Sequence, residues 1–363
     1  MEKEPFFTHD KSFYRTFFRL MAIVALQNIV AYSVNMADNI MLGRYSQTAL
    51  SGAATVNQIF FLVQQTTITI GDALVIIASQ YWGQKRMSPI RKLTGVALKF
   101  GTICGLLILI VCVLFPNRVL SIFTADPAII TEGCAYLRII QYTFLIFILS
   151  HVLMSALRSV EIVNISFIIS VISLIIDVSI NYTLIFGKFG FPELGVTGAA
   201  IGTFTARVVE LLVVLWYMIF KDTRLRLFTE NFFADAASLS KDYAKIAAPV
   251  MAAGLIWAVS VPMQSAVLGH LPGGVASDAI AANSVSSTFY QYLKVIVVAM
   301  ASASGVMIGK AIGSGDMQRV RTEARSMSVI DVCVCVIQSD QIFKGLPIFL
   351  RFRSYKWIKK LTN

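Results

Sequence analysis

Acidic side chains stand where hydrocarbon is expected: Asp38 inside the apolar stretch 17–42 and Asp177 inside 162–187, with Asp72 and Glu210 nearer the ends of theirs. An ionisable group at membrane depth costs roughly 3 kcal/mol or more unless paired or hydrated, so its presence is a functional signal. Asp177 and Asn181 are four residues apart, which puts both on one face of a helix. At a rise of about 1.5 Å per residue, Asn181 lies roughly 8–9 Å below the outer end of its span, near the depth of Asp38, and Thr203, about seven residues into the next span, falls at a similar level. These four side chains are therefore the candidate site. Two carboxylates, an amide and a hydroxyl offer the hard oxygen ligands that Na+ prefers, completed by water. A proton needs less: one carboxylate that burial and a like-charged neighbour make reluctant to ionise. The residue types leave both ions open. The competing readings are a headgroup-level helix end for Asp38 and a structural hydrogen bond for Asp177. Asp72 and Glu210, each within snorkelling distance of an interface, are secondary candidates read first as structural.

Covalent chemistry has no support. There is no H-E-x-x-H, no G-x-S-x-G and no plausible Ser/His/Asp grouping, so an enzyme is not expected. The cysteines Cys104, Cys112, Cys134, Cys333 and Cys335 show no CxxC or zinc spacing and read as small buried hydrophobes. His9, His151 and His270 are too scattered to hold a metal. No cofactor is implied beyond Na+ or H+ as a coupling ion, with Na+ at Asp38, Asp177 and Asn181 the only metal considered.

The elements that must position these residues follow from composition. Of 363 residues, 56% are hydrophobic and only 14% charged, against about 25% charged in soluble domains; mean hydropathy is +0.72. About 20 apolar residues cross a roughly 30 Å hydrocarbon core, and eight stretches qualify: 17–42, 51–80, 93–115, 131–157, 162–187, 196–220, 243–268 and 279–309. All are expected to be helices, because lipid leaves open backbone unsatisfied and a barrel would show short alternating strands. The first stretch is too long for a cleavable signal and lacks a small-residue cleavage site. Glycosylation patterns at Asn164 and Asn181 fall at or inside spans and carry no weight.

The net charge of +11 could suggest nucleic acid, but the basic residues alternate by loop. Lys3, Lys11, Arg15 and Arg19 precede the first span; Lys85, Arg86, Arg91 and Lys92 follow the second; Lys221, Arg224, Arg226, Lys241 and Lys245 follow the sixth; Lys310, Arg319, Arg321 and Arg325 follow the eighth. The other loops hold little more than Arg44, Arg118 and Lys188. By the positive-inside rule the N-terminus is cytoplasmic in a multi-pass protein, and the charge reports topology, with no nucleic-acid partner.

An internal repeat organises the spans. At an offset of 230, TALSGAATVNQIFF from Thr48 through QYWGQKRMSPIR from Gln80 aligns with DAIAANSVSSTFYQ from Asp278 through KAIGSGDMQRVR from Lys310. Gly83 meets Gly313, Met87 meets Met317 and Arg91 meets Arg321; upstream, Leu42-Gly43-Arg44 matches Leu268-Gly269-His270 if the second copy has four extra residues. Six helices per repeat, an even number, give two halves of one orientation related by an axis along the membrane normal. Two bundles with a cavity between them suit alternating access.

Several stretches resemble the MATE (multidrug and toxic compound extrusion) transporters: ADNIMLGRYSQTALSGAA from Ala37, QYWG from Gln80, ALRS from Ala156 and, most specifically, IFGKFGFPELGVTGAAIGT from Ile185. The resemblance covers residues 15 to about 325. It implies an all-α membrane protein of two parallel-repeat six-helix bundles, here with the second incomplete, that exports small organic, often cationic, compounds against inward Na+ or H+. In that family the first-span acid and a polar pair in span five form the cation site, matching Asp38, Asp177 and Asn181, though the order of acid and amide is often reversed. The implied layout is a cytoplasmic N-terminus 1–16, a first bundle 17–220, a cytoplasmic linker 221–242, a partial second bundle 243–327 and an aberrant basic tail 328–363, in the inner membrane of a bacterium and as a monomer. Three departures are visible. Family members carry about twelve spans, whereas the apolar run after Met327 is broken by Gln338, Ser339 and Asp340, as a truncation or frameshift would leave it. Ala253 and Gly254 stand where relatives often show Asn and Glu, so coupling acids must come from the first half. Glu161 replaces a common glycine. The alternatives are a lipid-linked sugar flippase of related fold, which would need a cationic cavity where this chain places acids, and a nonfunctional remnant.

Overall fold

The computed structural model describes residues 8, 10–124, 126–229, 237–269, 275–315 and 317–337. Lys3, His9, His270, the side chains of Cys333 and Cys335, and the tail from 338 lie outside the described residues. The chain forms α1 (Lys11–Tyr45), α2 (Gln47–Gly83), α3 (Met87–Leu114), the short α4 (Pro116–Ser121), α5 (Pro127–Ser159), α6 (Asn164–Ile185), α7 (Gly195–Phe220), a 3-10 turn (Leu227–Thr229), α8 (Ala237–Gly269), α9 (Val275–Ser314) and α10 (Met317–Ile337). Eight helices are long and apolar enough to cross a membrane: α1, α2, α3, α5, α6, α7, and the parts of α8 and α9 at Leu239–Ser260 and Lys294–Ser314. The eight expected spans are these helices, and among the described residues no strand occurs.

Local chemistry sets the helix limits. Asp10 caps α1, its Oδ1 accepting from the Ser12 amide at 2.8 Å. Ser46 ends α1 by donating its amide to the Leu42 carbonyl at 2.9 Å and starts α2 by accepting from the Ala49 amide. Pro116 and Pro127 open α4 and α5, where the missing N–H has no intrahelical use. Inside the spans, hydroxyls that would be orphaned in lipid return to their own helix: Thr66, Thr67 and Thr94 donate to the carbonyls four residues back at 2.8, 2.7 and 2.9 Å. The sequence reading missed α4, which is too short to carry a periodic apolar signal. α10 runs across the boundary at 327–328 to Ile337, since an apolar run too short to cross a bilayer still suffices for a helix.

In the first bundle α5 packs against α2, α3 and α7, while α6 packs against α1 and α7. Its core includes Val63, Ile70, Leu74, Leu93, Phe144, Ile148, Val152 and Val214, all buried. The opposite surface is equally apolar. On α3, Ile103, Leu107, Ile110 and Leu114 recur at helical spacing and are each more than half exposed, an arrangement stable only with lipid as solvent.

The second half seats on the first through α8 against α2 and α3, and α9 against α1 and α2. The Tyr243 hydroxyl donates to the Ile70 carbonyl at 2.8 Å. Where α2 meets α9, the repeat becomes visible as geometry. A Cβ on Gly83 would overlap the Lys310 carbonyl oxygen, and one on Gly313 would overlap the Gln80 carbonyl oxygen. At the sequence offset of 230 these two contacts exchange, Gly83 with Gly313 and Gln80 with Lys310. Ser79 and Gly309, equivalent at the same offset, also touch. A contact that maps onto itself is the mark of a two-fold axis, here running through the α2–α9 crossing between the halves. On this same side Arg158 Nη1 donates to Ser302 Oγ at 3.0 Å, and Lys310 Nζ donates to Glu161 Oε1 at 2.7 Å. Glu161 has φ 63°, a left-handed conformation that favours glycine.

Candidate functional site

The buried face of α6 is a stripe of Ser166, Ile169, Ser173, Asp177, Asn181 and Ile185. Its spacing of three and four residues turns one side of the helix inward between α1 and α7, while Ile168, Ile175 and Tyr182 face out. On α7, Gly198 and Gly202 let α6 approach closely: a Cβ at Gly198 would press on the Leu184 backbone, and one at Gly202 would overlap Asn181 Oδ1. The sequence pattern therefore drives Asn181 to the point where three helices meet.

There the Asn181 amide joins two acids. Its Nδ2 donates to Asp38 Oδ1 at 2.7 Å and to Asp177 Oδ2 at 3.1 Å. Asp177 and Asn181 are 1% and 0% exposed, and Asp38 is 9% exposed. The two carboxyl groups also come within hydrogen-bonding reach of each other. Two carboxylates cannot hydrogen-bond one another without a proton, and in a water-poor site two like charges this close need a positive charge between them. Asp177 Oδ1 and Thr203 Oγ1 are buried without a hydrogen bond of good geometry, the Thr203 hydroxyl lying close to Asp177 and to Tyr136. Buried polar atoms are normally satisfied, so these two oxygens mark where a further group fits. Asn181 Oδ1 is also unpartnered, but it points at Gly202 rather than between the acids. The donor set of carboxylate, carboxylate and hydroxyl fits a hard monovalent cation or a shared proton.

Asp38, Asp177, Asn181 and Thr203, placed at one depth by helix arithmetic, thus lie together inside the first bundle. The secondary candidates do not join them in the same way. Asp72, on α2, stands within electrostatic reach of Arg158, towards the α2–α9 crossing. Glu210 is buried: its Oε2 pairs with Arg207 Nη1 at 2.6 Å, and its Oε1 accepts from Ser150 Oγ at 3.1 Å.

Two residues were missed by the sequence reading. Tyr136 on α5 is buried beside Thr203 and the acids; a tyrosine among 12 tyrosines gives no sequence signal. Arg207 does give one, being an arginine in an apolar span. It sits one turn from Thr203 on α7 and lies over the Phe147 ring, 5.1 Å from its centroid. Around the Asp38–Asp177 pair the described residues thus bring one guanidinium, Arg207, neutralised by Glu210, and not the arginine cluster a pyrophosphate carrier would need; Arg158 faces Asp72 instead.

Residues 24–183 match the MatE protein family. The probable multidrug resistance protein NorM of Thermotoga maritima is 25% identical over 328 residues, covering 89% of this chain and 67% of its own length. The multidrug resistance protein MdtK of Edwardsiella ictaluri is 25% identical over 331 residues, covering 88% of this chain and 69% of its own. Among solved structures, a MOP superfamily transporter from Pyrococcus furiosus superposes with a TM-score of 0.79 at 17% identity, over 94% of this chain and 74% of that one. A structure described as MATE in the bent conformation gives 0.80 at 17% identity, over 94% and 75%. The chain spans about two thirds of the length of the first of these curated relatives.

Proposed function

We propose that this chain is a transporter of the MATE type, which its residues 24–183 match, and that it exports small organic, often cationic, compounds across a bacterial inner membrane in exchange for inward Na+ or H+. The observation that carries the coupling half is the pair of buried carboxyls, Asp38 and Asp177, bridged by one amide and flanked by the buried Thr203 hydroxyl. A cation or proton there neutralises the pair and ties α1 to α6 and α7; its departure leaves two like charges that favour separation. A ligand shifts a two-state equilibrium only through its different affinity for the two states, and this cluster, shared among three helices, supplies such a difference.

The multidrug half rests on the names of the relatives. The positive-inside pattern favours a cytoplasmic N-terminus, which places the α2–α9 crossing, Glu161 and Lys310 on the cytoplasmic side. Closure there favours a state open to the outside, and the protein acts as a monomer.

Everted membrane vesicles carrying this 363-residue chain test the reading. Uptake of a fluorescent organic cation should follow an imposed Na+ or H+ gradient and collapse with it. Uptake no different from vesicles lacking the chain, under both gradients, refutes export by this polypeptide.

A further inference from the structure

The cation site has a neighbour of its own sign. Arg207 lies one turn beyond Thr203 on α7, about 6 Å along the axis, with its side chain 16% exposed. Glu210 holds it at 2.6 Å and is in turn fixed by Ser150 on α5; the Phe147 face lies under the guanidinium. The charge of Arg207 is nonetheless felt at Asp38 on α1 and at Asp177 on α6. Tyr136 and His151 on α5 complete the titratable groups around it. A buried ion pair seldom adds stability over an apolar pair of the same volume, so Arg207 and Glu210 call for another explanation. Three carboxyls with one guanidinium leave the cluster short of positive charge. The guanidinium side chain is long and flexible, with five donors able to serve either Glu210 or the aspartates.

We propose that Arg207 is the resident counter-ion of the Asp38–Asp177 pair: Glu210 holds it aside while a coupling cation occupies the pair, and it turns to the aspartates when that cation leaves. Arg207 is then a positioning residue that competes with the coupling ion and speeds its release, and Glu210 sets how strongly it competes. The proposal rests on the cation-site reading above. It differs from a purely structural salt bridge in its signs. Without Glu210 the guanidinium is free to sit on the aspartates and cation binding weakens. Without Arg207 the competitor is gone and binding tightens.

Thermal unfolding of the purified chain, followed against Na+ at fixed pH and against pH at fixed ionic strength, reads cation binding without requiring export, because a ligand bound by the folded state raises Tm with its concentration. The parent should respond to Na+ or to protons, and Asp38→Asn should lose that response. Glu210→Gln should raise the half-effective cation concentration roughly tenfold, and Arg207→Gln should lower it roughly tenfold, the scale on which one charge acts a few ångström away in a poorly hydrated site. The double variant, which leaves no unpaired charge and guards against misfolding, should behave like Arg207→Gln, because Glu210 acts only through Arg207. Equal losses of Tm with no change in half-effective concentration, or a Glu210→Gln shift that persists without Arg207, overturn the counter-ion role. A parent as indifferent to both cations as Asp38→Asn instead overturns the cation site itself.

Discussion

Gly202→Ala is a one-methyl test of the cation site, made from outside it. The added Cβ would occupy the position of Asn181 Oδ1, so the amide must turn away or α6 must move. The amide is the end of a side chain with no partner on that oxygen, so it yields first. Turning it breaks the bonds of 2.7 Å to Asp38 and 3.1 Å to Asp177. Hydrogen bonds to charged groups contribute about 1.5–3 kcal/mol each, so losing one or both weakens the organised acid pair by roughly 2–5 kcal/mol. That is a shift in half-effective cation concentration of roughly 30-fold or more, since 1.4 kcal/mol is about tenfold. Gly198→Ala is the control. Its Cβ would meet the Leu184 backbone, which cannot rotate aside, so it should cost about 1–3 kcal/mol of stability, the usual range for overpacking, while leaving the bridge intact. The assay is Tm with and without cation for both variants. A crossed result is expected: Gly202→Ala shifts mainly the cation response and Gly198→Ala lowers mainly the Tm. If Gly202→Ala keeps the parent's cation response while Gly198→Ala loses it, helix spacing and not the Asn181 bridge organises the site.

Other positions give independent outcomes. Glu161→Gly should leave Tm unchanged or raise it, because removing a left-handed non-glycine residue relieves about 1 kcal/mol or more, whereas the partly exposed Lys310 pair contributes about 0–1 kcal/mol; a clear fall in Tm on thermal unfolding contradicts that balance. Gly313→Val should pry α2 from α9 at the Gln80 carbonyl, lower stability by about 1–3 kcal/mol, and make a cysteine placed at Ser302 more reactive to a membrane-impermeant maleimide added from the side of the basic loops. Unchanged labelling means that the α2–α9 crossing does not close that end.

Much of the fold was legible because lipid removes choices: apolar length alone marked eight crossing helices, and their number survives in the structure. The alignment of residues 48–91 with 278–321 also carried the two-fold relation that Gly83 and Gly313 show as contacts. Depth could be read from helix rise, so Asp38, Asp177, Asn181 and Thr203 could be placed at one level before their contacts were known. Rotation could not. Nothing in spacing alone says that Asn181 turns its amide to both acids, since that depends on Gly202 opening room on a different helix. The partner of Glu210 was hidden for the same reason. Distance from a span end suggested an interface, but the partner that keeps it buried, Arg207, is three residues away on its own face.

The most direct measurement is gradient-driven export of a fluorescent organic cation by Asp38→Asn and Asp177→Asn beside the parent chain, with each protein's amount in the membrane and its Tm recorded. A coupling site built on both carboxyls predicts that each variant folds and inserts like the parent and loses cation-dependent export. Full export by both variants would contradict the site.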